Sequence, residues 1–140
     1  MKHRMSGSSL LLLELTLAAL ILSLCVAVCT NLFARSMRIS EQSAAVTGAV
    51  FAAESAAETF KKIPDIHRLA EVLGGEVDEG NVLVVPYDRD WEQKGEQSYS
   101  LHLVAIQETR YLQRVQIWVS DDRSTLFTLK VACYVPGGDS

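Results

Sequence analysis

The chain has 140 residues, 49% of them hydrophobic, and a net charge of −4. From Asp65 onward, 7 basic residues stand against 13 acidic ones, which gives 7 − 13 = −6. This balance, without a basic stripe, argues against nucleic-acid binding, and the length leaves room for one domain beyond an apolar N-terminal segment. Two of the three cysteines lie in that segment, so no intrachain disulfide can stabilise the remaining domain.

The apolar segment, residues 10–33, contains one ionisable side chain, that of Glu14. Its 24 residues are enough to cross a hydrocarbon core of about 30 Å. Basic residues flank it on both sides, so the positive-inside rule does not fix its orientation. A cleaved secretory signal is disfavoured by the length of the segment and by the poor cleavage site Ala27-Val28-Cys29. A lipoprotein signal is disfavoured because Leu24 and Val28, rather than small residues, precede Cys25 and Cys29. A plain membrane anchor explains everything except Glu14, because a charge within a spanning helix costs about 2.5–3.5 kcal/mol.

A short leader ends in Ser6-Gly7-Ser8-Ser9 and is followed by the run Leu-Leu-Leu-Leu-Glu-Leu. This pattern resembles the class III signal of type IV pilins and type II secretion pseudopilins. The resemblance implies that a prepilin peptidase cuts between Ser9 and Leu10 and methylates the new N-terminus at Leu10, which makes Glu14 the fifth mature residue. The family usually has Gly before the cut and Phe after it. Cleavage after Gly7 is the alternative, although it places Glu14 two positions too deep.

The resemblance implies two opposite charges, an α-amino group at Leu10 and the Glu14 carboxylate, that can pair between subunits during assembly. Cleavage would create an α-amino group at Leu10, largely cationic at neutral pH because its typical pKa is about 7.7–8.0. In one helix, Leu10 and Glu14 are i and i+4 and therefore share a face. We expect the Glu14 carboxylate to pair with the N-terminus of a neighbouring subunit, which offsets the penalty of burying each charge alone.

The composition predicts that the helix continues beyond the membrane to about Lys62. No proline occurs from residue 10 to residue 63, and the run is rich in good helix formers. Gly48 is the weak point, and two helices broken near it are the alternative. An apolar stripe at helical spacing is expected to pack on a small domain. Its members are Val46, Val50, Ala53, Ala57 and Phe60.

The remaining sequence predicts a short helix and then strands. Asp65 can cap a helix that runs through Val72, and Gly74-Gly75 can end it. A short apolar run at residues 82–85, stopped by Pro86, is followed by three alternating segments. Alternation with period two predicts an antiparallel sheet with one buried face. The buried positions would be Tyr99, Leu101, Leu103, Ala105, Val115, Ile117, Val119, Phe127, Leu129, Val131 and Cys133. The fold class is therefore α+β, a long N-terminal helix packed on a small antiparallel sheet, which is similar to the pilin plan.

No group of residues in the head predicts catalysis. His67 and His102 have no companion ligands at metal-binding spacing, and Cys133 on an apolar strand face is expected to be a buried hydrophobe. The acidic stretch 88–92 offers oxygen ligands for calcium, but it lacks a glycine-turn motif and is expected to be a solvated loop. Cys25 and Cys29 share a helix face and are expected to contact lipid or neighbouring helices. We expect no enzyme, no cofactor and no metal site.

Together these observations predict a leader at residues 1–9, a transmembrane half-helix at 10–33, a soluble half-helix at 34–63 and an α+β head at 64–140. The expected function is that of a structural subunit of a type IV pilus-like or type II secretion pseudopilus filament. It would sit in the cytoplasmic membrane with its head outside before it enters a cell-surface or periplasmic filament. Expected partners are other pilin or pseudopilin subunits, prepilin peptidase, an inner-membrane assembly platform and membrane lipid, but no nucleic acid. A bitopic membrane protein with a sensor or binding head, and a secreted enzyme, are the alternatives from other classes.

Overall fold

The computed structural model describes residues 7–135. In chain order the elements are α1 (Gly7–Lys62), α2 (Ile66–Leu73), β1 (Glu76–Val77), β2 (Val82–Tyr87), β3 (Tyr99–Thr109), β4 (Leu112–Asp121) and β5 (Thr125–Tyr134). The chain divides into two compact units, of which the first ends at Gln42 and the second begins at Ser43. The leader predicted at residues 1–9 falls mostly outside the described residues.

The first unit is the N-terminal part of α1, and its described side chains, from Gly7 to Gln42, are all exposed. An 18-residue window of α1 has a mean hydropathy of 2.6. Helix α1 is the one helix among residues 7–135 that is long and apolar enough to cross a membrane. The hydroxyls of Thr16, Ser23 and Thr30 each donate to the carbonyl four residues earlier, at 2.7–2.9 Å. These bonds satisfy the hydroxyl donors within the helix, as an apolar surrounding requires.

The second unit contains a five-stranded sheet in which neighbours in sequence are neighbours in space, in the order β1-β2-β3-β4-β5. Every pairing is antiparallel. The register places Leu103 beside both Leu83 and Ile117, so that the buried side chains form rows across the sheet. The α+β class predicted from the sequence is thereby confirmed, and the arrangement is consistent with a pilin-like fold.

The core lies between the sheet and one face of the C-terminal part of α1. Residues Leu101, Leu103, Val115, Ile117 and Val119 are fully buried or nearly so, which confirms the predicted inward positions of β3 and β4. The helix contributes a face that coincides only in part with the predicted stripe. Its buried members are Ala49, Ala52, Ala53, Ala56, Ala57 and Phe60.

Val46 and Val50 are only partly buried, so the prediction is wrong for these two members of the stripe, whereas Ala53, Ala57 and Phe60 are buried as predicted. Alanines take the central positions because small side chains allow the helix backbone to approach the sheet closely, which β-branched side chains would prevent. The helix runs through Gly48 without a break, so the alternative of two helices is also wrong.

The junction after α1 is built as its residues predict. The N–H of Ile63 donates to the carbonyl of Thr59, and Pro64 then ends the helix because it disfavours helical geometry in the residue before it. Asp65 is the N-cap of α2, and its carboxylate accepts from the N–H of His67 at 2.9 Å. Gly74, with φ of 69°, is the left-handed C-cap.

Strand β2 does not stop at Pro86 as predicted but continues to Tyr87. The carbonyl of Val82 accepts from the N–H of Asp78, on the β1 side of the strand. The carbonyl of Tyr87 accepts from the N–H of Ser98, on the β3 side. Backbone groups alternate along a strand, so the nitrogen of Pro86 points to the outer side. The short strand β1 pairs only with Leu83 and Val84 and does not reach that position. Proline is therefore tolerated, because no hydrogen bond is lost.

Candidate functional site

The predicted processing and assembly residues lie together on α1. Ser9, Leu10 and Glu14 are all helical and exposed, with Leu10 exposed by 53%. Leu10 and Glu14 are one helical turn apart, a rise of about 6 Å, and lie on the same face. Glu14 makes no ion pair with any residue in the described range 7–135, so a cation for its carboxylate would have to come from outside this part of the chain.

The rest of the apolar helix has two unlike faces. Because each residue turns about 100°, Glu14, Cys25 and Cys29 fall on one side. The opposite side carries Ala19, Ser23 and Ala27 at exact spacings of four residues. This small-xxx-small spacing is the pattern that lets helices in membranes approach closely. Cys25 and Cys29 are free and exposed, which is compatible with the lipid- or helix-facing positions expected from the sequence.

The acidic loop after β2 is organised by hydrogen bonds from its own backbone. The carboxylate of Asp88 accepts from the N–H groups of Asp90 at 2.9 Å and Glu92 at 2.8 Å. The N–H of Asp88 in turn donates to the carbonyl of Glu92. Asp88 is thereby engaged as a loop cap, and within residues 7–135 no three His, Cys, Asp or Glu side chains come together as metal ligands would.

A cluster of aromatic rings fixes this same loop, and sequence reasoning did not find it. Trp91, in a left-handed backbone conformation with φ of 61°, stacks on Tyr99 with ring centroids 4.5 Å apart and an interplanar angle of 1°. Tyr87 lies 5.7 Å from the same indole, and burial raises the pKa of its hydroxyl. The indole lies against Gly48 of α1, where a Cβ atom would overlap the ring. Gly48 is therefore the place where the loop docks on the helix.

The histidines and the head cysteine occupy the positions that the sequence predicted. His67 is exposed on α2, and Cys133 is buried with 7% exposure on the core side of β5. His102 lies on the outer face of β3 and stacks on Trp118 of β4 at 5.2 Å. Partial burial lowers the pKa of His102, while the nearby Asp78 charge acts weakly in the opposite direction.

The second acidic turn is likewise a structural cap. The carboxylate of Asp121 accepts from the N–H groups of Arg123 at 2.8 Å and Ser124 at 2.6 Å. These backbone hydrogen bonds hold the pKa of Asp121 below its usual range. The turn therefore closes the β4–β5 hairpin.

Searches against family models, curated proteins and solved structures find no match to this chain. The geometry therefore defines only a broad class of protein. It is an α+β protein with one N-terminal helix long and apolar enough to span a membrane. A single carboxylate, that of Glu14, lies in the apolar part of that helix at residues 10–33, and within the described residues of the head no three His, Cys, Asp or Glu side chains come together.

Proposed function

We propose that this chain is a pilin-like subunit of a membrane-derived filament, either a type IV pilus-like fibre or a type II secretion pseudopilus. In this proposal prepilin peptidase cuts between Ser9 and Leu10 and methylates Leu10. The observation that carries the proposal is Glu14, a lone carboxylate one turn from the proposed new N-terminus in an otherwise apolar segment. The resemblance of the leader and of the following leucine run supports it.

The electrostatics of the helix favour an assembly role over a catalytic one. A carboxylate in the span carries a penalty of about 2.5–3.5 kcal/mol, and no residue of the described chain offers Glu14 a cation. The α-amino group of a neighbouring subunit, displaced along the helix axis, would supply one. Pairing in a low-dielectric bundle relieves both charges, whereas leaving either alone is expensive. Subunits would thus add in a fixed axial register.

The helix surface also suits packing against copies of itself. Ala19, Ser23 and Ala27 leave one side shallow, and the leucines around them present large side chains that could enter such a depression. The head would then carry contacts between neighbours and the outer surface of the filament. Subunits of the same class, the peptidase, an inner-membrane platform and lipid are the proposed partners, and no enzymatic reaction is assigned.

Mass spectrometry of the mature N-terminus in the native host tests the processing step. An N-methylated chain that starts at Leu10 supports the proposal, and one that starts at Ser8 moves the cut to Gly7. An intact N-terminus contradicts the proposal and favours a bitopic sensor or binding module. A soluble fragment released near Cys29 would contradict it in favour of secretion.

The assembly step is tested separately with Glu14→Gln, which keeps size and polarity but removes the charge. We expect the variant to insert into the membrane and be processed, yet fail to enter filaments. The matched control exchanges Leu13 and Glu14, which preserves composition and charge but rotates the carboxylate by about 100° around the helix. Both variants should fail alike. Filaments of normal abundance from Glu14→Gln would refute the pairing.

A further inference from the structure

Strand β5 forms one edge of the sheet, and no strand among residues 7–135 pairs with its outer backbone. The N–H of Val135 donates to the carbonyl of Tyr111 at 2.9 Å, which shows that odd-numbered residues at this end point toward β4. Because backbone groups alternate, those of the even-numbered residues point away from the sheet. These residues, all exposed, are Thr128, Lys130, Ala132 and Tyr134.

The two edges of the sheet differ in how they are protected. On the far side, β1 has only two residues, and Pro86 blocks the part of β2 that β1 leaves open. Short edges and prolines are common devices against unwanted strand pairing. In contrast, β5 has ten residues and no proline, and Lys130 is its only charge.

The core-facing side of β5 is also incompletely covered. Phe127, Leu129 and Val131 remain partly exposed, whereas their counterparts on β4, such as Ile117, are fully buried. A strand added along β5 would therefore gain hydrogen bonds from the open edge and apolar contacts beside these three side chains.

We propose that the occupant of this edge is β5 of a second copy, paired antiparallel to join the two sheets. The side-chain pattern selects one register, in which Val131 faces Val131 of the other copy. Leu129 then faces Cys133 on the apolar side, and Lys130 faces Ala132 on the outer side. None of these opposed pairs brings like charges together, and Lys130 meets only the small methyl group of Ala132.

Neighbouring registers are less favourable. A shift that centres the pair on Lys130 brings two lysine side chains directly opposite each other, which is destabilising. A shift that centres it on Ala132 sets Thr128 against Pro136, which has no N–H to donate. The Val131-centred register avoids both and sets Thr128 against Tyr134. This head-to-head contact does not depend on filament assembly or on processing.

Disulfide trapping in the full-length chain tests the register, in membranes and with Cys25, Cys29 and Cys133 replaced by Ala. In this background Val131→Cys places two thiols in a directly opposed pair that is not hydrogen-bonded, within the Cα range that disulfides require. The matched control is Thr128→Cys, which is more exposed but about 20 Å from its copy in this register. We expect disulfide formation at least about tenfold faster for Val131→Cys, because random collision would favour the exposed control instead.

Edge variants show whether the strand itself mediates the contact. Ala132→Pro removes an outward N–H without removing a bond to β4, so it should abolish trapping through Val131→Cys while the far-ultraviolet spectrum stays unchanged. Ala132→Glu sets a carboxylate opposite Lys130 of the second copy and should raise the trapped fraction several-fold at low salt, whereas Ala132→Lys should lower it. Equal trapping rates at positions 131 and 128, or trapping that survives Ala132→Pro in a folded chain, would overturn the proposal.

Discussion

Replacing Gly48 with Ala gives opposite predictions from the helix alone and from the folded structure. Alanine is favoured over glycine inside a helix by about 1 kcal/mol, so the isolated sequence predicts stabilisation. In the structure the new Cβ would overlap the indole ring of Trp91. The indole also stacks on Tyr99, with ring centroids 4.5 Å apart, so the ring cannot move away without disturbing that stack.

The size of the effect follows from these contacts. Overpacking at a well-filled position costs about 1–3 kcal/mol, and loss of the ring stack adds about 0.5–1.5 kcal/mol. After the gain in helix propensity is subtracted, we expect Gly48→Ala to lower the free energy of unfolding by about 0.5–3.5 kcal/mol. The assay is denaturant unfolding of the full chain in detergent, followed by far-ultraviolet circular dichroism.

The control is the same substitution in a Trp91→Ala background. Without the indole nothing opposes the methyl group, so Gly48→Ala should there stabilise the protein by about 1 kcal/mol. The sign of the change should thus reverse between the two backgrounds, and the coupling between the sites should exceed about 1 kcal/mol. Stabilisation by Gly48→Ala in the wild-type background would refute the docking of Trp91 on this helix position.

Three further substitutions probe other parts of the second unit. Asp65→Ala removes the N-cap of α2 and should lower the free energy of unfolding by about 1 kcal/mol, whereas Asp65→Asn should retain most of it, both by denaturant titration. Leu103→Ala, at a fully buried position in the central strand, should lower it by about 2–5 kcal/mol, and a change below about 1 kcal/mol would contradict the assigned core. The lowered pKa of Asp121 means that its stabilising contribution is present above the unfolded-state pKa and is lost as pH falls through the folded-state value. Asp121→Asn should therefore flatten the acid limb of the stability curve, measured by thermal unfolding between about pH 2 and pH 6.

Local patterning was sufficient to predict most elements of the fold. The proline-free run predicted one helix to Lys62, and the Asp65 and Gly74 caps predicted the limits of α2 within a residue. Alternation predicted which side chains of β3 and β4 are buried. These features depend on residues close in sequence, where periodicity and capping act directly.

Features that depend on distant residues were missed. The two-residue strand β1 has no alternation to detect and exists because Leu83 and Val84 lie beside it. Gly48 looked like a weakness in a helix, and its reason is an indole 43 positions away in sequence. The buried face of α1 consists mainly of alanines, whereas the pattern of large apolar residues had predicted that Val46 and Val50 would belong to it. Close approach of a helix to a sheet favours the smaller side chains instead.

The features proposed for contacts between chains differ in the same way: one was predicted from the sequence and the other is visible only in the structure. Leu10 and Glu14 share a helix face, which follows from spacing alone, and the structure leaves that face free of any ion pair among the described residues. The open edge of β5 could not be inferred from its own sequence, because an edge strand is defined by the absence of a neighbour. Both features belong to the proposed contacts between chains, one through the Glu14 carboxylate and one through backbone hydrogen bonds. Their chemistry is separable, because removing the carboxylate acts on Glu14, whereas loss of an outward N–H acts on β5. Glu14→Gln should therefore leave disulfide trapping through Val131→Cys intact in membranes, and Ala132→Pro should leave processing of the N-terminus intact.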